Sequence, residues 1–149
     1  MTQMFDIWTV IRFVHVLGAI IWVGGQLTIT LVVLPPVRER LTTADRAEVL
    51  RAVGKRFALI TMTVFVPVQI ATGVLLAWHY GVTWASLLQP GYGRILVMKL
   101  VLFTGVMVAA TLHGIAQSRG QAERARAMSL ASLVGSLGVV LLATWLTEG

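Results

Sequence analysis

Apolar positions fill the chain in four long runs. They extend from about Ile7 to Leu34, from Phe57 to Trp78, from Ile95 to Ala116 and from Ala127 to Leu146. Each run holds at least the roughly 20 residues of α-helix needed to cross a hydrocarbon core of about 30 Å. Lipid offers no partner to backbone N–H and C=O groups, so each run has to close its own hydrogen bonds as a helix. The pattern predicts an all-α integral membrane four-helix bundle, with residues 1–149 forming a single domain. The first run is not patterned as a cleaved signal peptide. Its opening, Met1-Thr2-Gln3-Met4-Phe5-Asp6, is acidic, and it outlasts the roughly 7–15 apolar residues of such a peptide. All four helices are therefore expected in the mature protein.

Polar residues and helix breakers punctuate the runs. Leu34-Pro35-Pro36 is expected to stop the first helix, because proline lacks a donor and restricts the residue before it. Thr42-Thr43-Ala44-Asp45 offers N-caps for a short amphipathic helix from Asp45 to Lys55, placed in the first loop. Gln89-Pro90-Gly91-Tyr92-Gly93 reads as a turn ahead of the third span.

Composition narrows the class. The 149 residues are 57% hydrophobic and 12% charged, about half the charged share of a typical soluble domain. That balance excludes an ordinary soluble enzyme and a disordered chain. The absence of cysteine removes disulfides, thiolate metal sites and a Cys nucleophile. All six acidic residues lie in loops or tails, and no hydrolase triad, phosphate loop or carboxylate pair is present.

The net charge of +6 has a topological explanation. Arg38, Arg40, Arg46, Arg51, Lys55 and Arg56 lie between the first and second spans, and Arg119, Arg124 and Arg126 between the third and fourth. Arg94 alone lies between the second and third. Lys/Arg excess marks cytoplasmic loops. Both termini are therefore expected on the periplasmic or outer face of a bacterial-type inner membrane, and no nucleic-acid partner is needed. Trp8, Trp78, Tyr80, Trp84, Tyr92 and Trp145 agree, falling near the outer ends of the spans, where amphipathic rings prefer to sit.

Candidate chemistry lies at membrane depth. Arg12, His15, Ala19, Trp22 and Gln26 recur at steps of three or four and form one helical stripe, bordered by Gly18 and Gly25, which would admit a neighbouring helix. Lys99 lies in the third span at about the depth of His15. His15 could be satisfied by a hydroxyl or carbonyl, or could serve as a copper ligand, an axial haem ligand or a proton carrier, since imidazole suits each role. His79 closes the second span at a compatible depth. His113 lies near the other membrane face, about 20 Å below Lys99. Gln69, following Pro67, is expected to bond a neighbouring helix or a backbone group freed by the proline. Gly105, Ala109 and Gly114, with Ser132, Gly135 and Ser136, are expected to supply small helix-contact surfaces.

Two segments carry a family resemblance. Phe13-Val14-His15-Val16-Leu17-Gly18-Ala19-Ile20-Ile21-Trp22-Val23-Gly24-Gly25, closing in Val32-Val33-Leu34-Pro35, resembles the first helix of CopD-like copper-resistance membrane domains. Gly93-Arg94-Ile95-Leu96-Val97-Met98-Lys99-Leu100 resembles a later helix of that family, with its Gly-Arg-x-Leu-x-x-Lys-Leu pattern. The resemblance implies copper handling and points to His15, Trp22 and Lys99; fuller members have additional helices and often a fused copper-binding domain. A looser resemblance is to the HemJ-type membrane protoporphyrinogen oxidase, which implies b-type haem, although Val33-Leu34-Pro35-Pro36 departs from that family's ending.

The sequence thus leads to three expectations. The first is a copper-binding or copper-transporting module with His15 and His79 as metal ligands. The second is a haem b redox protein in which His15 is axial, and Arg12 and Lys99 meet propionates or a quinone oxygen. The third is a cofactor-free scaffold subunit. The expected partners are the lipid bilayer, a second copy of the chain, and a periplasmic metal or electron carrier.

Overall fold

A computed structural model describes residues 6–146; the opening Met1–Phe5 and the tail from residue 147 lie outside the described residues. Among the described residues every regular element is helical. Four helices are long and apolar enough to cross a membrane: α1 Ile7–Arg40, α2 Thr43–His79, α3 Tyr92–Ser118 and α4, which runs from Ala122 to the end of the described chain. The chain is an all-α integral membrane protein with the helix complement of a four-helix bundle. It divides into two compact units, Met1–Val82 and Thr83–Gly149. Each unit is a helical hairpin, α1 with α2 and α3 with α4.

The first hairpin is longer than the punctuation predicts. Pro35-Pro36 does not stop α1, which continues to Arg40. The short helix expected from Asp45 to Lys55 is likewise the first part of α2, continuous with the second span. One device explains both. Each helix contains a five-residue π-turn, Ile29–Val33 in α1 and Thr61–Phe65 in α2, with a proline two residues after it. The Leu34 N–H bonds Ile29 O and the Val66 N–H bonds Thr61 O, five residues back in each case. A proline ring collides with the carbonyl four residues earlier in a regular α-helix. The wider π-turn moves that carbonyl aside, so the helix passes the proline without ending. Thr61 and Thr63 hydroxyls donate to Phe57 O and Leu59 O, keeping these polar groups bonded inside the helix.

At 1.5 Å per residue, the 34 and 37 residues of α1 and α2 extend about 51 and 55 Å, well beyond the roughly 30 Å hydrocarbon core. The excess lies where the two helices meet. There Leu41 leaves the helical conformation, and Thr42 caps α2 by accepting from the Asp45 N–H and donating to the Asp45 carboxylate.

Glycines end α2 and α3 in the same way. Gly81 and Gly120 have φ of +67° and +70°. The N–H after each glycine reaches back to close the last turn, Val82 to Ala77 O and Gln121 to Ala116 O. This left-handed cap satisfies carbonyls that the helix end would leave bare. α3 starts at Tyr92 and α4 at Ala122, a turn earlier than their apolar runs, because polar residues extend each helix past the lipid-facing stretch.

Small residues set the close approach in the second hairpin. Ser132 and Ser136 are buried on α4, and a Cβ at Gly135 or Gly138 would meet Val106 or Leu102 of α3 at 2.6 and 2.9 Å. Gly105 and Gly114 do not share this role: nothing lies within 4 Å of a Cβ built on either. They are exposed because the contact stripe on α3 runs through Leu102 and Val106 instead. The contrast can be tested by thermal unfolding in detergent. Gly135→Ala is expected to destabilise by about 1–3 kcal/mol, since the χ1-restricted Val106 cannot easily turn away. Gly105→Ala is expected to be neutral or to stabilise by up to about 1 kcal/mol through helix propensity.

Candidate functional site

Two polar residues of α2, Gln69 and Thr72, meet α1 at His15. α1 carries Trp8, His15, Gly18, Trp22 and Gly25 toward α2, in steps of three, four and seven that keep them on one face. α2 answers with Phe57, Phe65, Gln69, Thr72 and Gly73. The glycines allow the approach. A Cβ at Gly18 would meet the Gln69 side-chain nitrogen at 2.6 Å, and one at Gly25 would meet the Phe57 ring at 2.9 Å. Gly73 lies beneath the His15 ring, 3.4 Å from Cε1 to its would-be Cβ.

Hydrogen bonds fix the imidazole. Thr72 Oγ1 donates to Val68 O at 2.6 Å, so its lone pairs face the ring nitrogen His15 Nδ1 at 2.8 Å. With its own proton on Val68 O, the hydroxyl can accept from Nδ1–H, the tautomer that places the ring's lone pair on Nε2. Gln69 Nε2 donates to the His15 backbone carbonyl at 2.9 Å. It thus bonds the neighbouring helix, not a group freed by Pro67. Gln69 and Thr72 are only 8% and 9% exposed, so both bonds form out of reach of bulk water and tie α1 to α2 at membrane depth.

Aromatic rings close the site above and below. Trp22, 7% exposed, stacks on Phe65 at 4.8 Å and on Phe57 at 5.2 Å. About two turns on the other side of His15, Trp8 stacks flat on His79 at 4.1 Å and meets Trp78 edge-on at 6.2 Å. Each such ring pair contributes roughly 0.5–1.5 kcal/mol beyond area burial. Arg12 is exposed, and its guanidinium lies 5.6 Å over the Tyr80 ring. It therefore extends toward the helix end, as a snorkelling cation does.

The predicted site residues are distributed as follows. His15, Trp22, Arg12 and His79 all belong to the first hairpin. His15 and Trp22 turn inward, and Arg12 and His79 belong to the aromatic end. His15 and His79 are held by different partners, Thr72 and Trp8. Lys99 belongs to the second hairpin, where it is half-buried about two turns into α3. Gly93 of the Gly-Arg-x-Leu-x-x-Lys-Leu pattern has a packing reason: a Cβ there would collide with the Ser86 carbonyl of the preceding 3₁₀ turn. His113, also in the second hairpin, donates from Nδ1 to Ala125 O at 2.7 Å and links the ends of α3 and α4. Among the described residues, no three His, Cys, Asp or Glu side chains gather closely enough to hold a metal ion by themselves.

Thr72, Gly73, Phe57 and Phe65 surround His15 and Trp22 without standing out in the residue order. The signal was present in outline. Gln69, Thr72 and Gly73 follow one another at three- and four-residue steps from Gln69, so the polar face of α2 was available to match the His15 stripe.

No protein-family model matches the chain, and no solved structure matches it. An uncharacterized protein of Aquifex aeolicus (strain VF5) is 31% identical over 103 residues, covering 69% of this chain. The match spans 65% of that protein's length.

The hydrogen-bond assignment leads to a direct test. Thr72→Val should remove this bond from Nδ1, lower stability by about 1–2 kcal/mol and redistribute the ring proton between the two nitrogens. Thr72→Ser should retain the wild-type tautomer. Nitrogen-15 NMR of the histidine ring, with thermal unfolding, reads both effects.

Proposed function

We propose that the chain is a CopD-like membrane protein that handles copper, by binding or transport, through His15 in a bacterial-type cytoplasmic membrane with both termini outward. The observation that carries this reading is the fixed imidazole. A bond from Nδ1–H to a protein oxygen is the arrangement that presents Nε2 as a metal donor and holds the ring in place. Thr72 supplies that oxygen, Gly73 gives the ring its space, and Trp22 closes the inner side. His79, on Trp8 at the helix end, is the second imidazole of the reading and lies toward the side from which copper would arrive. Arg12 opposes a bare cation less than its sequence position implies, because its guanidinium is drawn out over Tyr80. Lys99 enters as a cation that would balance an anionic partner. A second copy of the chain and a periplasmic metal carrier are the partners this reading calls for.

One observation favours a second reading, haem b. Protein side chains alone gather no three-ligand metal cluster among the described residues, whereas a porphyrin brings four nitrogen donors and asks the protein for one or two axial imidazoles. His15 fits the axial role, and Arg12 fits a propionate at the outer end. A bound haem would supply one-electron redox chemistry; the protein's part would be to hold the ring nitrogen, exclude water with the Trp22 stack and neutralise acid groups with Arg12.

Elemental analysis and an absorption spectrum of the purified protein in detergent test both readings. Copper handling predicts stoichiometric copper without a Soret band, and loss of that copper in His15→Ala. A Soret band that disappears in His15→Ala would transfer the site to haem. Absence of both ligands, with His15→Ala indistinguishable from wild type, would overturn both and leave a scaffold.

A further inference from the structure

The inner end of the first hairpin, where α1 turns into α2, presents two unlike surfaces at the same level. The register is set by Gly25, whose would-be Cβ meets the Phe57 ring. From that level to the turn, α1 runs onward from Gln26 while α2 runs backward from Arg56. Over this stretch α1 carries no charge as far as Val37 and is wholly apolar from Leu31, with Leu31 and Val32 exposed at 67% and 65%. α2 over the same levels is cationic on balance: Arg51, Lys55 and Arg56 are all exposed, and Asp45, Arg46 and Glu48 follow nearer the turn. Phe57, the first residue of the second apolar run, directly follows Arg56.

A surface facing only water has no use for Leu31 and Val32, and one facing only acyl chains cannot hold three cations. The zone that suits both is the boundary between acyl chains and headgroup phosphates. An acidic protein or a nucleic acid would meet the charges and leave the apolar residues in water. We propose that Arg51, Lys55 and Arg56 form a docking site for anionic phospholipid headgroups, with Leu31 and Val32, level with Arg51, lying at the same boundary. Arg51 and Lys55, four apart, share one side of α2, and Arg56 extends the site around the helix. Arg38, Arg40 and Arg46 lie nearer the turn, beyond the headgroup layer. Charged headgroups attract juxtamembrane cations, and the attraction fades within a Debye length, so position matters as well as net charge. This inference is independent of any ligand at His15.

The test uses the full chain in nanodiscs of phosphatidylcholine alone or with added phosphatidylglycerol, read by thermal unfolding and by lipid retention in native mass spectrometry. The expected result is a midpoint several degrees higher with phosphatidylglycerol, and preferential retention of that lipid. The variant R51Q/K55Q/R56Q should lose the preference by roughly tenfold or more. The variant R119Q/R124Q/R126Q removes the same charge from the second hairpin and should keep it. Should the first triple variant fail to fold, Lys55→Gln and Arg56→Gln alone should each weaken the preference. Equal behaviour of wild type in both lipids, equal loss in both triple variants, or equal stabilisation by soluble glycerol phosphate would overturn the proposal.

Discussion

Inside a bilayer no water is present to repair an unmet hydrogen bond, and this constraint governs the first hairpin. Among the described residues no buried side-chain polar atom lacks a partner: Thr72 answers Val68 O and His15, Gln69 answers the His15 carbonyl, and Thr61 and Thr63 answer their own helix. In water such bonds exchange one partner for another at small net gain. In lipid an unanswered group costs several kcal/mol. The imidazole is therefore held by the same economy of partners that holds the two helices together. Positioning His15 and assembling α1 on α2 are one event.

The aromatic residues work on a different principle. Helices in lipid gain little from burying apolar surface against each other, since the acyl chains are equally apolar, and close packing has to supply the attraction. Trp22 between Phe57 and Phe65 gives α1 and α2 a tight, specific contact on one side of His15. Trp8, Trp78 and His79 give another at the helix end. The second hairpin reaches the same goal with small residues, Ser132, Gly135, Ser136 and Gly138, which bring backbones near each other. The first hairpin adds rings and polar bonds to its glycine contacts, whereas the apolar contact of the second rests on small residues.

Much of this was legible in the residue order. The four spans follow from apolar runs and lipid's lack of hydrogen-bond partners. The stripe of Arg12, His15, Ala19, Trp22 and Gln26, bordered by Gly18 and Gly25, follows from helical periodicity; His15 and Trp22 turn inward as that stripe implies, whereas Arg12 is exposed. Three features were hidden for identifiable reasons. Pro35-Pro36 reads as a stop because local rules treat proline as a breaker, whereas the π-turn before it depends on how the whole helix is held. Thr72 gives no signal alone, since a threonine in a membrane helix usually bonds its own backbone, and only packing brings it to His15. Gly105 and Gly135 look alike in the sequence, and the choice of facing stripe separates them. Lys99 illustrates the remaining limit: its residue type marks it as unusual, but the chemistry of a lone ammonium group depends on what faces it.

The two π-turns have a consequence for how this protein can vary. A π-turn holds one more residue per hydrogen-bonded loop than an α-turn, so it advances the helix's angular phase by about 100°. In α1 it falls after Trp22 and before the arginines at the turn; in α2 it falls between Phe57 and Gln69. Each helix is thereby divided into two segments whose azimuths are set separately. In α1 the segment bearing His15 and Trp22 is clocked independently of the one bearing Arg38 and Arg40, and in α2 the offset brings Gln69 and Thr72 onto the side facing α1 that Phe57 also occupies. Removal of a single residue within either π-turn would erase that offset and swing one end's side chains around the axis without altering any of their identities.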